Sequence, residues 1–250
     1  MSLKRSGVDS LEILGVRVDR VTYADLLVQV DAFVASGRPH QIVTLNPEML
    51  VAAHDDPTFR QLLNACDLNV ADGVGLLLVA RCLGRPLPER VTGSDGIYRM
   101  AAHCAQRGYR PFLLGAAPGV ADAAAAQLAA ANPGLQVVGT HAGSPHPADE
   151  DDIILRVRAA TPDLIFVAYG VPAEEKWIAR NRDRLGVPVM IGVGGAFDFV
   201  AGVARRAPVW MRRLGLEWLH RLVREPWRWR RQLALPRFVG LVLGQKIRGD

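Results

Sequence analysis

The chain has 250 residues, half of them hydrophobic and 22% charged, which suits one large α/β domain or a domain with an appendage. The formal net charge is +5, but residues 203–250 carry +9 and residues 1–202 carry −4. This asymmetry argues against a uniformly basic protein and predicts an anionic partner beside the tail. The longest apolar run near the end, FVGLVLG, is far shorter than the roughly twenty residues of a membrane-spanning helix, so we expect no such helix.

Cysteines, histidines and acidic clusters indicate no metal site. Cys66, Cys82 and Cys104 have no CxxC spacing and are interpreted as small buried residues in a reducing cytoplasm. The histidines form no HxxxH or HExxH pattern, and the acidic run at 149–151 suits the first turn of a helix. The first ten residues hold no apolar run, so we expect no signal peptide.

Apolar runs alternate with helical patterns along the first 202 residues. LEILGVRVDRV alternates as a strand or hairpin, and a helix is predicted between the cap at Thr22 and a stop at Gly37. HQIVTLN, LNVADG, PFLLG, LQVVGTHAG, LIFVAYG and VPVMIGVGG are predicted strands separated by helices, with Pro57 interrupting one of them. This order predicts an α/β fold, with a Rossmann-like, mostly parallel sheet and helices on both faces.

The tail differs from this body, and we predict a boundary between 1–202 and a basic amphipathic appendage at 203–250. Trp210, Leu214, Trp218 and Leu222 are spaced by four, which predicts one apolar stripe on a helix that ends before Pro226. This stripe suits contact with a membrane or a second subunit; packing onto the body is the alternative.

Parallel sheets bind ligands at the carboxyl ends of their strands, so the residues after each strand are the candidate site. Asp72 follows one strand and is either a helix cap or a general base. Thr44 and Asn46 follow another and either bind substrate or make a turn before Pro47. The loop from Gly115 opens a helix whose amides suit a phosphate or ribose, although a tight turn without a ligand explains it equally well.

Together these segments resemble the WecG/TagA/CpsF family of bacterial glycosyltransferases, glycosyltransferase family 26, from about residue 11 to 231. The motifs that carry the resemblance are TLNPEM, ADGVG, RVTGSDG, FLLGAAPGVA, YGVPAEEKWI, GVGGAFDFVAG and RRAPVWMRRLGLEWLHRLVREPWR. The resemblance implies transfer of a sugar from a UDP-sugar to an undecaprenyl-diphosphate-linked saccharide. It also implies inversion at the anomeric carbon, with neither a metal nor another cofactor. The sugars compatible with it are N-acetylmannosamine, its uronic acid and glucose.

The resemblance further implies a role in cell-surface polymers such as teichoic acids and exopolysaccharides. It places the protein in the cytoplasm, on the inner face of the membrane, with self-association as a further expectation. The rival interpretations are a nucleic-acid-binding protein that grips phosphates with its Arg/Trp tail and a UDP-sugar-binding module without catalysis. The acidic body offers no extended basic groove, so we expect no nucleic-acid partner.

Carried over residue by residue, the resemblance implies that Asp72 is the base, with Thr44 and Asn46 beside it. The predicted substrate-binding residues are Gly115, Tyr169, Gly170, Glu174, Gly192, Gly194, Asp198, Arg206, Arg221, Arg224 and Arg228. The last three arginines would meet the diphosphate of UDP or of the lipid carrier.

One position departs from the family pattern. The family commonly has a basic residue, a glutamine and a glutamate after the Gly-x-Pro turn, where this chain has Ala173, Glu174 and Glu175. A carboxylate accepts hydrogen bonds but donates none unless it is protonated. We therefore expect either a different contact at Glu174 or a different donor sugar.

Overall fold

Six parallel strands form the central sheet of a computed structural model, which describes residues 8–213, 216–224, 226, 229 and 233–248. A separate antiparallel hairpin pairs β1 (Ser10–Ile13) with β2 (Val16–Asp19). The sheet strands are β3 (His40–Leu45), β4 (Leu68–Ala71), β5 (Pro111–Gly115), β6 (Gly139–His141), β7 (Leu164–Ala168) and β8 (Val189–Gly192). Their order across the sheet is β4-β3-β8-β7-β5-β6, which confirms the predicted α/β class and parallel sheet.

A short 3₁₀ turn, Pro147–Asp149, leads into the helix Glu150–Ala160. Helices connect the strands of the sheet. They are α1 (Tyr23–Ser36), α2 (Pro47–Asp55), α3 (Pro57–Ala65), α4 (Val74–Cys82), α5 (Gly93–Arg107), α6 (Val120–Ala131), α7 (Glu150–Ala160), α8 (Ala173–Leu185), α9 (Ala196–Val200), α10 (Val209–Arg213), α11 (Glu217–Arg224) and α12 (Ala234–Arg248). Within the described residues, no helix combines the length and the apolar character needed to cross a membrane.

Local sequence explains where several of these helices begin and end. Thr22 and Asp25 form a reciprocal capping box at the start of α1, and Gly37 ends that helix in the left-handed conformation with φ of 62°. Pro47 and Pro57 begin α2 and α3, where a missing backbone N–H costs no helical hydrogen bond. The predicted hairpin, caps and helix interruption are therefore confirmed.

The sheet is buried on both faces, as its continuous apolar strands predict. Along β7, Leu164 and Phe166 pack with α1, α5, α6 and α9, whereas Ile165 and Val167 pack with α7 and α8 on the other face. A third cluster joins the hairpin and the strands β3 and β4 to the helices α2, α3, α4 and α12. The two-sided core holds the strand ends in a fixed row, which positions the loops that follow them.

Two sequence predictions are wrong in detail. The predicted strand LQVVGTHAG is reduced to Gly139–His141, since only those residues pair with β5. The tail does not form one helix from Trp210 to Leu222, because α10 ends at Arg213 and α11 begins at Glu217. Leu214 lies outside the described residues, and the sequence has Gly215, a poor helix former, between the two helices.

The last helix packs on the body of the protein. Phe238 and Val242 on α12 are buried in the cluster that contains α2 and the hairpin. Arg237 makes two hydrogen bonds of 2.6 Å to the Asp55 carboxylate at the end of α2. Gln245 also accepts a hydrogen bond from the backbone of Leu14. The predicted appendage thus contains a helix that contributes to the hydrophobic core.

We predict that Phe238→Ala destabilises the whole protein. Phe238 is 1% exposed, and replacing a buried phenylalanine by alanine typically costs about 3–5 kcal/mol of unfolding free energy. Urea denaturation measures this loss. The neighbouring Val239→Ala is the control, because Val239 is 53% exposed and should cost less than about 0.5 kcal/mol. Equal effects from both variants would show that α12 is not docked through Phe238.

Candidate active site

One cavity of about 810 Å³ lies at the carboxyl ends of the strands, where parallel sheets bind ligands. The loops after β3, β4, β5, β7 and β8 all contribute to it. At about 4.8 Å per strand, the four steps from β4 to β5 span about 19 Å, which describes an elongated site. The predicted residues that line it are Thr44, Asn46, Asp72, Tyr169, Gly170, Glu174, Gly194 and Asp198.

Asp72 stands at one end of this row, immediately after β4. Its backbone N–H donates to the Leu45 carbonyl at 2.6 Å, and its Oδ2 accepts from the Gly93 N–H at 3.2 Å. Gly73, not Asp72, is the cap residue of α4, so the carboxylate does not cap the helix that follows it. Burial raises the pKa of Asp72 to about 7, against the opposing effects of the Gly93 N–H and the Arg90 charge. Such a group exchanges a proton near neutral pH.

Thr44 and Asn46 lie beside Asp72, and both are partly engaged by the fold. The Thr44 hydroxyl donates to the Gly192 carbonyl of the neighbouring strand at 3.3 Å. The Asn46 Oδ1 caps α2 by accepting from the Met49 N–H at 3.0 Å. The turn interpretation of Asn46 therefore holds, and its amide nitrogen is the group left to donate toward a ligand.

The segment before α5 also lines the cavity. It does not follow a strand, so it was not among the predicted site residues. Arg90, Thr92 and Ser94 face the cavity, and the Val91 N–H donates to the carbonyl of Ala71 at 2.9 Å. The buried hydroxyl of Tyr23 fixes the segment by accepting from the Thr92 N–H at 2.8 Å. Arg90 brings a cation to the cavity wall, and its charge acts on the Asp72 carboxylate. The motif RVTGSDG was the one sequence signal for this segment.

Two predicted glycines lie behind the cavity wall. A Cβ on Gly115 would meet the backbone of Ala168 at 2.7 Å, so glycine is needed there for the close approach of two strands. Ala116 and Ala117 line the cavity in its place. A Cβ on Gly192 would lie 2.9 Å from Oε1 of Glu174. Both glycines shape the wall without lining the cavity.

The loops after β7 and β8 are tied together by one side chain. The Gly170 and Gly194 N–H groups, expected beside a nucleotide, donate to the Glu174 carboxylate at 2.8 to 3.1 Å. Tyr169 packs edge-on against Trp177, and its hydroxyl is buried without a hydrogen-bond partner among the described residues. Burial raises the pKa of Tyr169 above its ordinary value, so this phenol stays neutral.

Comparison with known proteins identifies the family of this chain. A family model described as "Glycosyl transferase WecG/TagA/CpsF family" matches residues 11–250. The chain belongs to this family. It is therefore a glycosyltransferase, and the resemblance inferred from the motifs is confirmed.

Three relatives carry one name, N-acetylglucosaminyldiphosphoundecaprenol N-acetyl-beta-D-mannosaminyltransferase. The protein of Bacillus spizizenii (strain ATCC 23059 / NRRL B-14472 / W23) is 35% identical over 81% of this chain and 78% of its own length. That of Bacillus subtilis (strain 168) is 33% identical over 82% and 79%. That of Staphylococcus aureus (strain MW2) is 30% identical over 94% and 93%. The third similarity spans 238 residues, so it includes most of the tail.

Within this glycosyltransferase, Arg206, a predicted substrate-binding residue, makes contacts with other side chains of the protein. Its guanidinium donates to Asp95 at 2.6 Å, to Ser94 at 3.2 Å and to Glu217 at 3.3 Å, and it does not line the cavity. Arg206 thus ties the tail to the start of α5, because two carboxylates already surround it. Arg224 lies exposed at the end of α11, away from the cavity wall. The Arg221 side chain and Arg228 lie outside the described residues.

The tail of the glycosyltransferase closes one side of the cavity. Leu216, Glu217 and Trp218 line it from the start of α11, and Ala234 and Leu235 line it from α12. The active-site cavity therefore includes residues from both sides of the boundary predicted at residue 202. Among the described residues, no three histidine, cysteine or acidic side chains are grouped as metal ligands would be.

Proposed function

We propose that this glycosyltransferase moves a sugar from a UDP-sugar to a hydroxyl of an undecaprenyl-diphosphate-linked saccharide, with inversion and without a metal. N-acetylmannosamine is the leading donor sugar because three relatives are named for its transfer; its uronic acid and glucose are the alternatives. The reaction belongs to cell-surface polymer synthesis. The observation that carries the proposal is that a carboxylate, Asp72, and a cation, Arg90, line the same cavity of a family member.

The chemical step is a single displacement. A hydroxyl oxygen of the acceptor attacks the anomeric carbon of the donor, and the bond from that carbon to the UDP oxygen breaks. The proton of the attacking hydroxyl passes to Asp72, which contributes about 10²–10⁴-fold to the rate. One displacement on the face opposite the leaving group inverts the anomeric centre. Asn46 and Thr44 lie where they would orient the sugar hydroxyls.

The leaving UDP gains negative charge, which protein donors must stabilise. Arg90 is the described cation on the cavity wall, and the start of α6 follows the Ala116–Ala117 loop without a side-chain cap. Arg221, Arg224 and Arg228 remain proposed ligands for the lipid diphosphate. They belong to the tail, and other residues of the tail line the cavity. The amides of Gly170 and Gly194 already donate to Glu174, so they act on the substrate through the position of their loops.

The tail is proposed to contact the inner face of the cytoplasmic membrane, as the lipid-linked acceptor requires. Among the described residues, ten of the fourteen large hydrophobic side chains that are exposed lie between Val203 and Leu243. Such a concentration of exposed apolar side chains with many arginines suits an anionic bilayer surface. The same surface would serve self-association away from the membrane.

We predict that ionisation of Asp72 makes kcat/KM rise with pH up to about 7 and adds no further rise above it. Asp72 accepts a proton only as the carboxylate, so activity falls about tenfold per pH unit below its pKa of about 7. Initial rates at subsaturating donor between pH 5 and 8.5 measure the profile. Glu12→Gln, on the distant hairpin, is the matched control and should follow the wild-type curve. A rate that falls on raising the pH from 5 to 7 would contradict the assignment of Asp72 as a base.

Turnover should survive the removal of divalent cations. With cationic and amide donors on the leaving group, 10 mM EDTA is expected to change kcat by less than about twofold, because no step passes through a metal. UDP release is followed before and after chelation, with magnesium added back. A loss of more than about tenfold that magnesium restores would contradict the proposal.

The donor is tested by measuring UDP release from three UDP-sugars with a short-chain lipid-diphosphate N-acetylglucosamine acceptor. The donors are UDP-N-acetylmannosamine, its uronic acid and UDP-glucose. We expect acceptor-dependent turnover of one of them, the first being the leading candidate. Binding of UDP without any turnover would favour the non-catalytic module.

A further inference from the structure

Two adjacent glutamates at the start of α8 are buried at the cavity, which Glu174 lines and Glu175 does not. Glu174 and Glu175 are each 1% exposed, and no lysine or arginine among the described residues forms an ion pair with either. Adjacent buried carboxylates without a cation are costly, because each disfavours the charge of the other. The contacts of the two groups show how the protein accommodates them.

Glu174 provides the acceptors of the pair. Its Oε2 accepts from the Gly170 N–H at 2.8 Å, and its two oxygens accept from the Gly194 N–H at 3.0 and 3.1 Å. Gly170 follows β7 and Gly194 follows β8, so one side chain sets the spacing between two loops of the cavity wall. Hydrogen bonds donated by backbone amides favour the charged form of a carboxyl group.

Glu175 has the opposite environment. A Cβ on Gly192 would lie 2.9 Å from Oε1 of Glu174 and 3.0 Å from Oε1 of Glu175, so the two carboxyl groups converge over this glycine. Oε2 of Glu175 is buried and has no hydrogen-bond partner among the described residues. A buried oxygen without a donor is tolerated far better on a neutral acid than on a carboxylate. The geometry thus favours a protonated Glu175 beside an ionised Glu174.

The surroundings reinforce this difference. Burial and then the charge of Glu174 raise the pKa of Glu175 well above its usual range, whereas burial raises the pKa of Glu174 to about 7 against its amide partners. Among the described residues, Glu48 on α2 and Cys66 after α3 interact electrostatically with Glu175, and Lys176 follows it on α8. The lysine pairs with Asp56 at 3.1 Å, so it does not neutralise the pair.

We propose that Glu174 and Glu175 share a single proton, and that this acid–carboxylate pair positions the loops after β7 and β8 for binding of the UDP-sugar. The proton resides on Glu175, which donates it in a hydrogen bond to Glu174. When the pair loses this proton, two adjacent negative charges repel and the loops lose their spacing. The part of the proposal that concerns the UDP-sugar rests on the proposed function; the shared proton and the loop positions do not.

Glutamine at position 174, the residue common in the family, would make the same contacts without a shared proton. Its carbonyl oxygen accepts from the glycine amides and its NH₂ group donates to an ionised Glu175. The exchange of glutamine for glutamate in this chain therefore replaces a fixed hydrogen bond by one that depends on pH. With either glutamate or glutamine at position 174, the pair would hold one negative charge.

The shared proton is tested in the full-length protein by the backbone amide NMR shifts of Gly170 and Gly194 between pH 6 and 9. In the wild type both amides should titrate with one midpoint. In Glu175→Gln and Glu174→Gln this transition should vanish, because an amide donates the hydrogen bond permanently. Glu150→Gln is the control: Glu150 is also buried, but Arg180 lowers its pKa despite that burial, and it lies outside the cavity.

The functional part is tested by UDP affinity over the same pH range. Above the midpoint, the Kd of the wild type and of Glu150→Gln should rise about tenfold per pH unit. The Kd of Glu175→Gln should rise less than twofold over the same range. The titration of UDP itself affects all variants equally, so Glu150→Gln shows how the Kd behaves when the pair is intact. Glu174→Ala removes the acceptor of both loops and should weaken binding at every pH.

Two outcomes would overturn the inference, and a third would overturn the proposed function. Glycine amides that titrate identically in the wild type and Glu175→Gln would refute the shared proton. If the amides titrate in the wild type but UDP affinity depends on pH in the same way in the wild type and Glu175→Gln, positioning of the loops by the pair is refuted. If the wild type binds no UDP at any pH, the proposed function fails, and the amide titration still decides whether the pair holds one proton and positions the loops.

Discussion

Asp72→Asn should lower kcat by about 10²–10⁴-fold while leaving the Kd for UDP within about threefold of the wild-type value. Asparagine has nearly the same volume, and its Oδ1 still accepts from the Gly93 N–H, so the strand end keeps its shape. What the variant loses is the ability to take a proton from the acceptor hydroxyl. Single-turnover transfer with saturating donor measures the loss, and equilibrium titration with UDP measures binding.

Stability separates a chemical defect from misfolding in this variant. Burial raises the pKa of Asp72 to about 7, so the folded wild type holds a proton that the unfolded chain releases above about pH 4. The wild type therefore loses stability as pH rises toward 7, and Asp72→Asn does not share this loss. The variant should be relatively more stable at pH 8 than at pH 5. Asp183→Asn, at a carboxylate whose side chain is 87% exposed, is the control and should retain full turnover. Full turnover by Asp72→Asn would refute the base assignment.

Trp210→Glu/Val223→Glu should reduce binding to vesicles with anionic lipids by about 100-fold or more. Trp210 is 59% exposed and Val223 is 74% exposed, and neither lines the cavity. Burying a large apolar side chain is worth about 1.5–3 kcal/mol, and 1.4 kcal/mol is a factor of ten in affinity. The arginines of the tail add about 1 kcal/mol for each charge near the lipid headgroups. Vesicle sedimentation at low salt measures the change.

A matched charge elsewhere on the surface tests whether this effect belongs to the tail. Leu155 on α7 is 69% exposed, so Leu155→Glu places the same side chain on a remote face and should bind vesicles like the wild type. Turnover of a water-soluble short-chain acceptor should stay within about twofold in both proteins. Wild-type vesicle binding by the tail variant would contradict membrane contact. Salt-sensitive DNA binding without vesicle binding would favour the nucleic-acid alternative.

Loops that follow strands were predictable, because periodicity locates the strands and parallel sheets bind ligands at their carboxyl ends. Asp72, Thr44 and Asn46 were found in this way and do lie on one cavity. Arg90 was missed because its segment precedes a helix and reaches the cavity through a contact between Val91 and Ala71. No local pattern encodes such a contact between segments distant in sequence.

The contacts of charged groups were the least predictable feature. Glu174 lines the cavity as expected, and its carboxylate also accepts from two backbone amides, since Gly192 leaves room for its side chain. Arg206 was expected to bind substrate and pairs in the structure with Asp95 and Glu217. Phe238 lies in a segment read as tail, although it fills a gap beside α2. Asp95 and α2, the partners of Arg206 and Phe238, come from distant parts of the chain, and Gly194 lies 20 residues from Glu174.

The anomeric configuration of the product tests the central claim most directly. The protein is incubated with an α-linked UDP-sugar and the lipid-diphosphate N-acetylglucosamine acceptor, and the isolated product is analysed by mass spectrometry and NMR. We predict one added sugar, joined to the acceptor saccharide through a β linkage, in an amount equal to the UDP released. A product with retained α configuration, or release of free sugar without a lipid-linked product, would contradict direct displacement onto the lipid-linked acceptor.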